Sequence, residues 1–102
     1  MMNGSYGLIE VSGVVAAIDS LDAMCKAATV NLVTWERKLG GRLVTIIVEG
    51  DVSDTKAAVE AARNICALNG HIMASYGVIA APCEETRKIV ALSAKRIQKN
   101  KG

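Results

Sequence analysis

Apolar positions change their spacing several times along this chain, and each change predicts an element. Residues 6–12 read as a short strand, punctuated by Gly13. Val14, Ile18, Leu21, Cys25 and Ala28 then recur at helical spacing, with Val15 and Met24 beside them. Asp19, Asp22 and Lys26 lie off that stripe, which makes the stripe the expected core-facing side of a first helix. Asp22 and Lys26 also stand four apart, in the favourable order for a helical ion pair.

Residues 30–37 and 43–49 are rich in Val, Leu, Ile, Thr and Trp, and Gly40 and Gly41 separate them. Two β-prone runs around a short glycine-containing loop predict a hairpin. A second helix follows, capped by Asp51 or Ser53, whose side-chain oxygens can accept an orphan backbone N–H. Ala58, Val59, Ala62, Ile65 and Cys66 form its apolar stripe, while Lys56, Glu60, Arg63 and Asn64 face away. Asn69 and Gly70 supply its stop. Residues 72–80 predict a fourth strand and Pro82 interrupts. From about residue 84 a further helix begins, with Ile89, Val90, Leu92 and Ile97 among basic residues.

The predicted order is β-α-β-β-α-β followed by a C-terminal helix. That is the ferredoxin-like α+β pattern, a four-stranded antiparallel sheet with helices on one face. Residues 1–5 form a flexible N-terminus, 6–90 the domain, and 91–102 a basic helical tail.

Composition adds one point. The 102-residue chain is 51% hydrophobic, much for one small domain, so apolar surface buried between subunits competes with a merely Ala- and Val-rich core. Its net charge of +2 reflects Arg87, Lys88, Lys95, Arg96, Lys99 and Lys101 near the C-terminus. With no Phe, one Trp and two Tyr, stacking platforms for nucleic acid are scarce. No signal peptide or membrane span is expected.

Chemistry-bearing residues are thin. Cys25, Cys66 and Cys83 are too far apart for a metal site or a disulfide framework. Cys25 and Cys66 lie on apolar stripes, as buried small hydrophobes do. His71 is the one histidine and is expected as an exposed residue at a strand start. Glu84 and Glu85 suit the first turn of a helix, where they complement its dipole. Gly40 and Gly41 match no phosphate loop, since a strand follows them where a helix should. No catalytic residue, metal or cofactor is expected.

Several segments, taken in order, resemble the hexamer-forming, single-domain shell proteins of bacterial microcompartments. Residues 6–19 resemble that family's opening strand and helix. Residues 21–28 resemble its D-A-M-x-K-A-A segment, residues 44–52 its V-T-x-x-V-x-G-D-V run, and residues 56–61 the helix after it. The ordered match spans residues 6 to 90.

The resemblance implies a non-enzymatic subunit of a cyclic hexamer with a narrow axial pore, in a shell within the cytoplasm. Its implied partners are copies of itself, other shell proteins and encapsulated enzymes, without nucleic acid or membrane. It places Lys38, Leu39, Gly40, Gly41 and Arg42 in the pore-lining loop, where basic residues would favour anionic metabolites. It places Lys26, Ala81 and Pro82 at the hexamer edge. The chain departs from the family in a loop one residue longer, with Leu39-Gly40-Gly41 for the usual Gly-Ser-Gly. Ala81 stands where Arg is usual, and Cys83 where His is common. Members carrying a pore iron–sulfur cluster use a loop cysteine, and none lies between Asn31 and Ile65 here. The competing reading is an oligomeric ferredoxin-like module that binds a small effector, because topology alone does not decide function.

Overall fold

The computed structural model describes residues 4–37, 41–80 and 82–101, with side chains through residue 95. The order is β1 (Ser5–Ser12), α1 (Val14–Ala27), β2 (Asn31–Arg37), β3 (Leu43–Gly50), α2 (Val52–Asn69), β4 (Met73–Ala80) and α3 (Glu84–Lys101). The strands form one sheet ordered β2-β3-β1-β4, and each neighbouring pair is antiparallel. This is the expected ferredoxin-like arrangement with an added C-terminal helix.

Strand alternation divides the sheet into two faces. On one, Ile9 and Val11 of β1 and Val44, Ile46 and Val48 of β3 are fully buried. They pack with residues of α1 and α2 into a single apolar cluster. Each such aliphatic side chain contributes about 1.5–3 kcal/mol relative to exposure.

The helices meet this face through small residues. Ala16, Ala17, Ser20 and Met24 are the buried positions of α1. The sequence favoured Val14, Ile18, Leu21 and Cys25 for that role, and the structure corrects it. Val14, Ile18 and Cys25 are exposed and Leu21 is half-buried. The physical reason is distance: alanine and serine let the helix lie close to strands already crowded with Val and Ile. α2 follows expectation, burying Ala58, Val59, Ala62 and Cys66, with Thr55 in its first turn.

Asp51 occupies the N-cap of α2, but its side chain makes no cap hydrogen bond. Its carbonyl instead accepts the Thr55 N–H at 2.9 Å and the Thr55 hydroxyl at 3.2 Å. The Thr55 and Ser5 hydroxyls are also hydrogen-bonded, at 2.6 Å, which ties α2 to β1. α2 stops at Gly70, whose φ of 72° is the left-handed conformation that glycine adopts without a Cβ clash.

α3 lies over the other face. Its Ser93 hydroxyl donates to Glu36 Oε1 at 3.2 Å, and Glu36 pairs with Thr45 on the side away from Ile46 and Val44. Val90 is buried there. Beneath α3 the Thr34 hydroxyl is buried without a hydrogen-bond partner. Glu84 and Glu85 occupy the first turn of α3, as expected.

Gly7 sets the seat of α2. A Cβ there would lie 3.1 Å from Val59 Cγ2 and 3.3 Å from Val48 Cγ2. Gly7→Val should therefore cost about 1–3 kcal/mol through overpacking, read as a lower urea midpoint. Unchanged stability would show that α2 does not depend on this close approach.

Candidate functional site

Those of the site residues singled out in the sequence that the structure describes fall at two opposite ends of the sheet. At one end, Ser12 pairs with Leu43 and Arg37 with Val44. Gly41 and Arg42 are exposed there. Lys38, Leu39 and Gly40 lie outside the described residues. The returning limb is fixed to the start of α1, because the Gly13 N–H donates to the Arg42 carbonyl at 2.7 Å.

α1 runs from that end to the other, where Lys26 sits in its last turn. Lys26 is exposed and pairs with Asp22 at 2.9 Å, the predicted i,i+4 bridge. The hydrogen bond that Lys26 donates to Asp22, followed by the Asp22 charge, raises the Lys26 pKa. At the same end Ser5 pairs with both Gly50 and Ala80, so the chain leaves β4 toward Pro82 there. Pro82 is buried, and its carbonyl accepts Arg87 Nε–H at 3.2 Å. Ala81 lies outside the described residues. Lys26 and Pro82 thus share an end of the sheet, with Gly41 and Arg42 at the opposite one.

Three polar groupings escaped the sequence reading. Near the hairpin end Asp19 Oδ2 accepts His71 Nε2–H at 2.8 Å and Asn69 Nδ2–H at 3.3 Å. A carboxylate only accepts, so Nε2 carries the proton. His71 is therefore a largely buried bridge rather than the exposed strand-start residue expected. The His71 hydrogen bond holds the Asp19 pKa below the ordinary value, ahead of the contribution from Asn69. On the α3 side of the sheet, Glu10 accepts from Thr45 at 3.4 Å and from Ser75 at 3.3 Å. At the start of α3, Cys83 lies 3.4 Å from the Thr86 hydroxyl. That contact and the Thr86 backbone lower the Cys83 pKa. These partners are too distant in the chain, or too ordinary in type, to announce themselves.

Cys66 is buried beside Ser20 at 3.3 Å, as expected. Cys25 is exposed, which corrects the expectation for it. Among the described residues no cluster of His, Cys, Asp and Glu could hold a metal ion. No helix among them is long and apolar enough to cross a membrane.

The fold and these two ends define a small antiparallel α/β domain whose distinctive residues lie at its extremities rather than in a catalytic cleft. The BMC domain matches residues 5–82. The chain is 43% identical over 94 residues to the bacterial microcompartment shell protein PduA of Citrobacter freundii, covering 88% of this chain and 95% of that one. It is 41% identical over 88 residues to the carboxysome shell protein CsoS1C of Hydrogenovibrio crunogenus, covering 86% and 85%. A crystal structure of a microcompartment protein from Desulfitobacterium hafniense shares the fold, with a TM-score of 0.74 at 22% identity. That comparison covers 91% of this chain, which spans about half (49%) of the neighbour. The chain belongs to the BMC-domain family of bacterial microcompartment shell proteins. Its relatives bear out the expectation of a structural protein rather than an enzyme, located in a shell within the cytoplasm.

The lowered Asp19 pKa gives a pH dependence with a definite sign. Asp19 binds its proton more readily in the unfolded chain, so its contribution to stability is complete above the usual carboxylate value of about 3.9. It is lost as pH falls through the lower folded value. Asp19→Asn should flatten the fall in stability between about pH 5 and pH 2, measured by urea unfolding at several pH values. A variant as acid-sensitive as the parent would contradict the bridge.

Proposed function

We propose that this protein assembles into cyclic hexamers that tile a microcompartment shell. Residues 38–42 line a central pore for small metabolites, and the end carrying Lys26 and Pro82 meets neighbouring hexamers. Other shell proteins and encapsulated enzymes are its further partners. The observation that carries the reading is the BMC-domain match over residues 5–82. The placement of Arg42 and Lys26 at opposite ends of one sheet is what a subunit needs if it is to serve an axis and a rim together.

Glycine suits the axial position, because six copies of one loop must crowd together and Gly41 has no side chain to obstruct them. Arg42, with Lys38 nearby in sequence, would repeat sixfold and attract anionic metabolites. At the rim, Ala81 replaces the usual Arg, leaving Lys26 to carry more of the contact between hexamers.

Light scattering after size exclusion should give roughly 64 kDa, six copies of a 10.7 kDa chain. Lys26→Ala should preserve that mass while abolishing larger sheets seen by electron microscopy. A parent protein that remains monomeric would sink the shell reading.

The pore is tested separately. Lys38→Glu combined with Arg42→Glu should lower the permeability of reconstituted shells to small anions relative to cations, measured by dye or metabolite entry. Unchanged anion entry would remove the basic-pore assignment.

A further inference from the structure

α3 holds to the sheet through a narrow and mostly small side. Among its described side chains Val90 is the buried apolar one, while Ile89 and Leu92 are 68% and 65% exposed. The helix thus turns its larger aliphatic residues to solvent. At its start it is tied down, because Arg87 Nε–H donates to the carbonyl of buried Pro82 at 3.2 Å. Further along, Ser93 donates to Glu36 Oε1 at 3.2 Å.

Thr34 stands two residues before Glu36 on β2, so strand alternation puts both on the face that α3 covers. β2 and α3 both begin at the end of the sheet where Ser5 pairs with Gly50. Val90, one turn before Ser93, therefore falls toward Thr34. Thr34 is 3% exposed, and its hydroxyl has no hydrogen-bond partner among the described residues. A hydroxyl withdrawn from water without a partner favours any state that lets water back to it.

The sheet face on that side suits water. Glu36, Thr45, Glu10 and Ser75 form one row across all four strands in the pairing register. Thr45 and Ser75 both donate to Glu10, at 3.4 and 3.3 Å. Leu8 and Ile47 on the same face are already partly exposed with α3 in place. The fully buried Ile9, Val11, Val44, Ile46 and Val48 belong to the opposite face. An antiparallel sheet with one apolar and one polar face tolerates solvent on the polar one.

We propose that α3 is a hinged flap: it pivots at Pro82 and opens from β2 while the sheet, α1 and α2 stay closed, and the Thr34 hydroxyl sets how often it does so. Opening gives up the Ser93–Glu36 hydrogen bond and the burial of Val90, and it hydrates Thr34. The flap does not depend on the ring or the pore proposed above.

Hydrogen exchange of the full chain at a series of low urea concentrations, followed by mass spectrometry of peptic peptides, tests this device. Peptides from residues 88–101 should exchange through an opening that urea hardly accelerates, because it exposes little surface. Peptides from β1 and β3 should exchange more slowly, through an opening that urea promotes steeply. Thr34→Val replaces the hydroxyl by a methyl of similar size and should slow exchange in α3 about tenfold, the scale of one relieved unpaired hydroxyl. Ser93→Ala should speed it severalfold.

An α3 as protected and as urea-sensitive as β1 and β3 in the parent overturns the flap. Unchanged or faster α3 exchange in Thr34→Val overturns the role of the hydroxyl and with it the proposal. Unchanged exchange in Ser93→Ala does so too, since the helix would then not be held where the flap requires. Far-UV circular dichroism checks the fold. If Thr34→Val loses it, Thr34→Cys takes its place under the same criteria, as a small side chain that hydrogen-bonds weakly.

Discussion

The close approach of two helices to the middle strands governs this structure. Gly7 leaves room for Val59, and alanines at 16, 17, 58 and 62 bring the helical backbones down onto β1 and β3. Packing of that kind excludes large side chains from the inward side of α1. The larger apolar residues of the helix must then stand on its outer side. One steric constraint thus produces both a tightly filled core and an apolar flank that the single chain leaves uncovered. Apolar content in excess of what one small core requires is its trace in the composition.

The element order, the hairpin and the fold class were legible because strand alternation, glycine breaks and helical periodicity agree along most of the chain. The second helix was read well because its apolar and polar positions separate cleanly. The first was read with the wrong face inward. Periodicity reports that a helix has an apolar side, but not whether that side meets its own sheet or another molecule. Ala16 and Ala17 carry too little hydrophobic weight to outvote Val14 and Ile18. The same limit misplaced Cys25.

The proposed site was legible through family likeness rather than through chemistry. Neither Lys26 nor Arg42 shows in sequence that it stands at an extremity of the sheet. Their separation depends on α1 running the length of the domain. The link among Asp19, Asn69 and His71 was hidden for another reason: its members come from α1, from the last residue of α2 and from just beyond that helix, more than fifty residues apart for Asp19 and His71. Its effect is to join the start of β4 to α1, close to the end of the sheet where Ser12 pairs with Leu43.

α3 stands apart from this arrangement. It begins after the BMC-domain match ends at residue 82, touches the sheet chiefly along β2, and covers a threonine hydroxyl that finds no partner. A helix seated over an unsatisfied polar group has less to lose by lifting than the two helices on the opposite face. Its release would return the Thr34 hydroxyl to water while leaving the cluster around Ile9 and Ile46 intact. Such packing favours a local opening of α3 that leaves the four-stranded platform standing over any opening of the two helices on the opposite face.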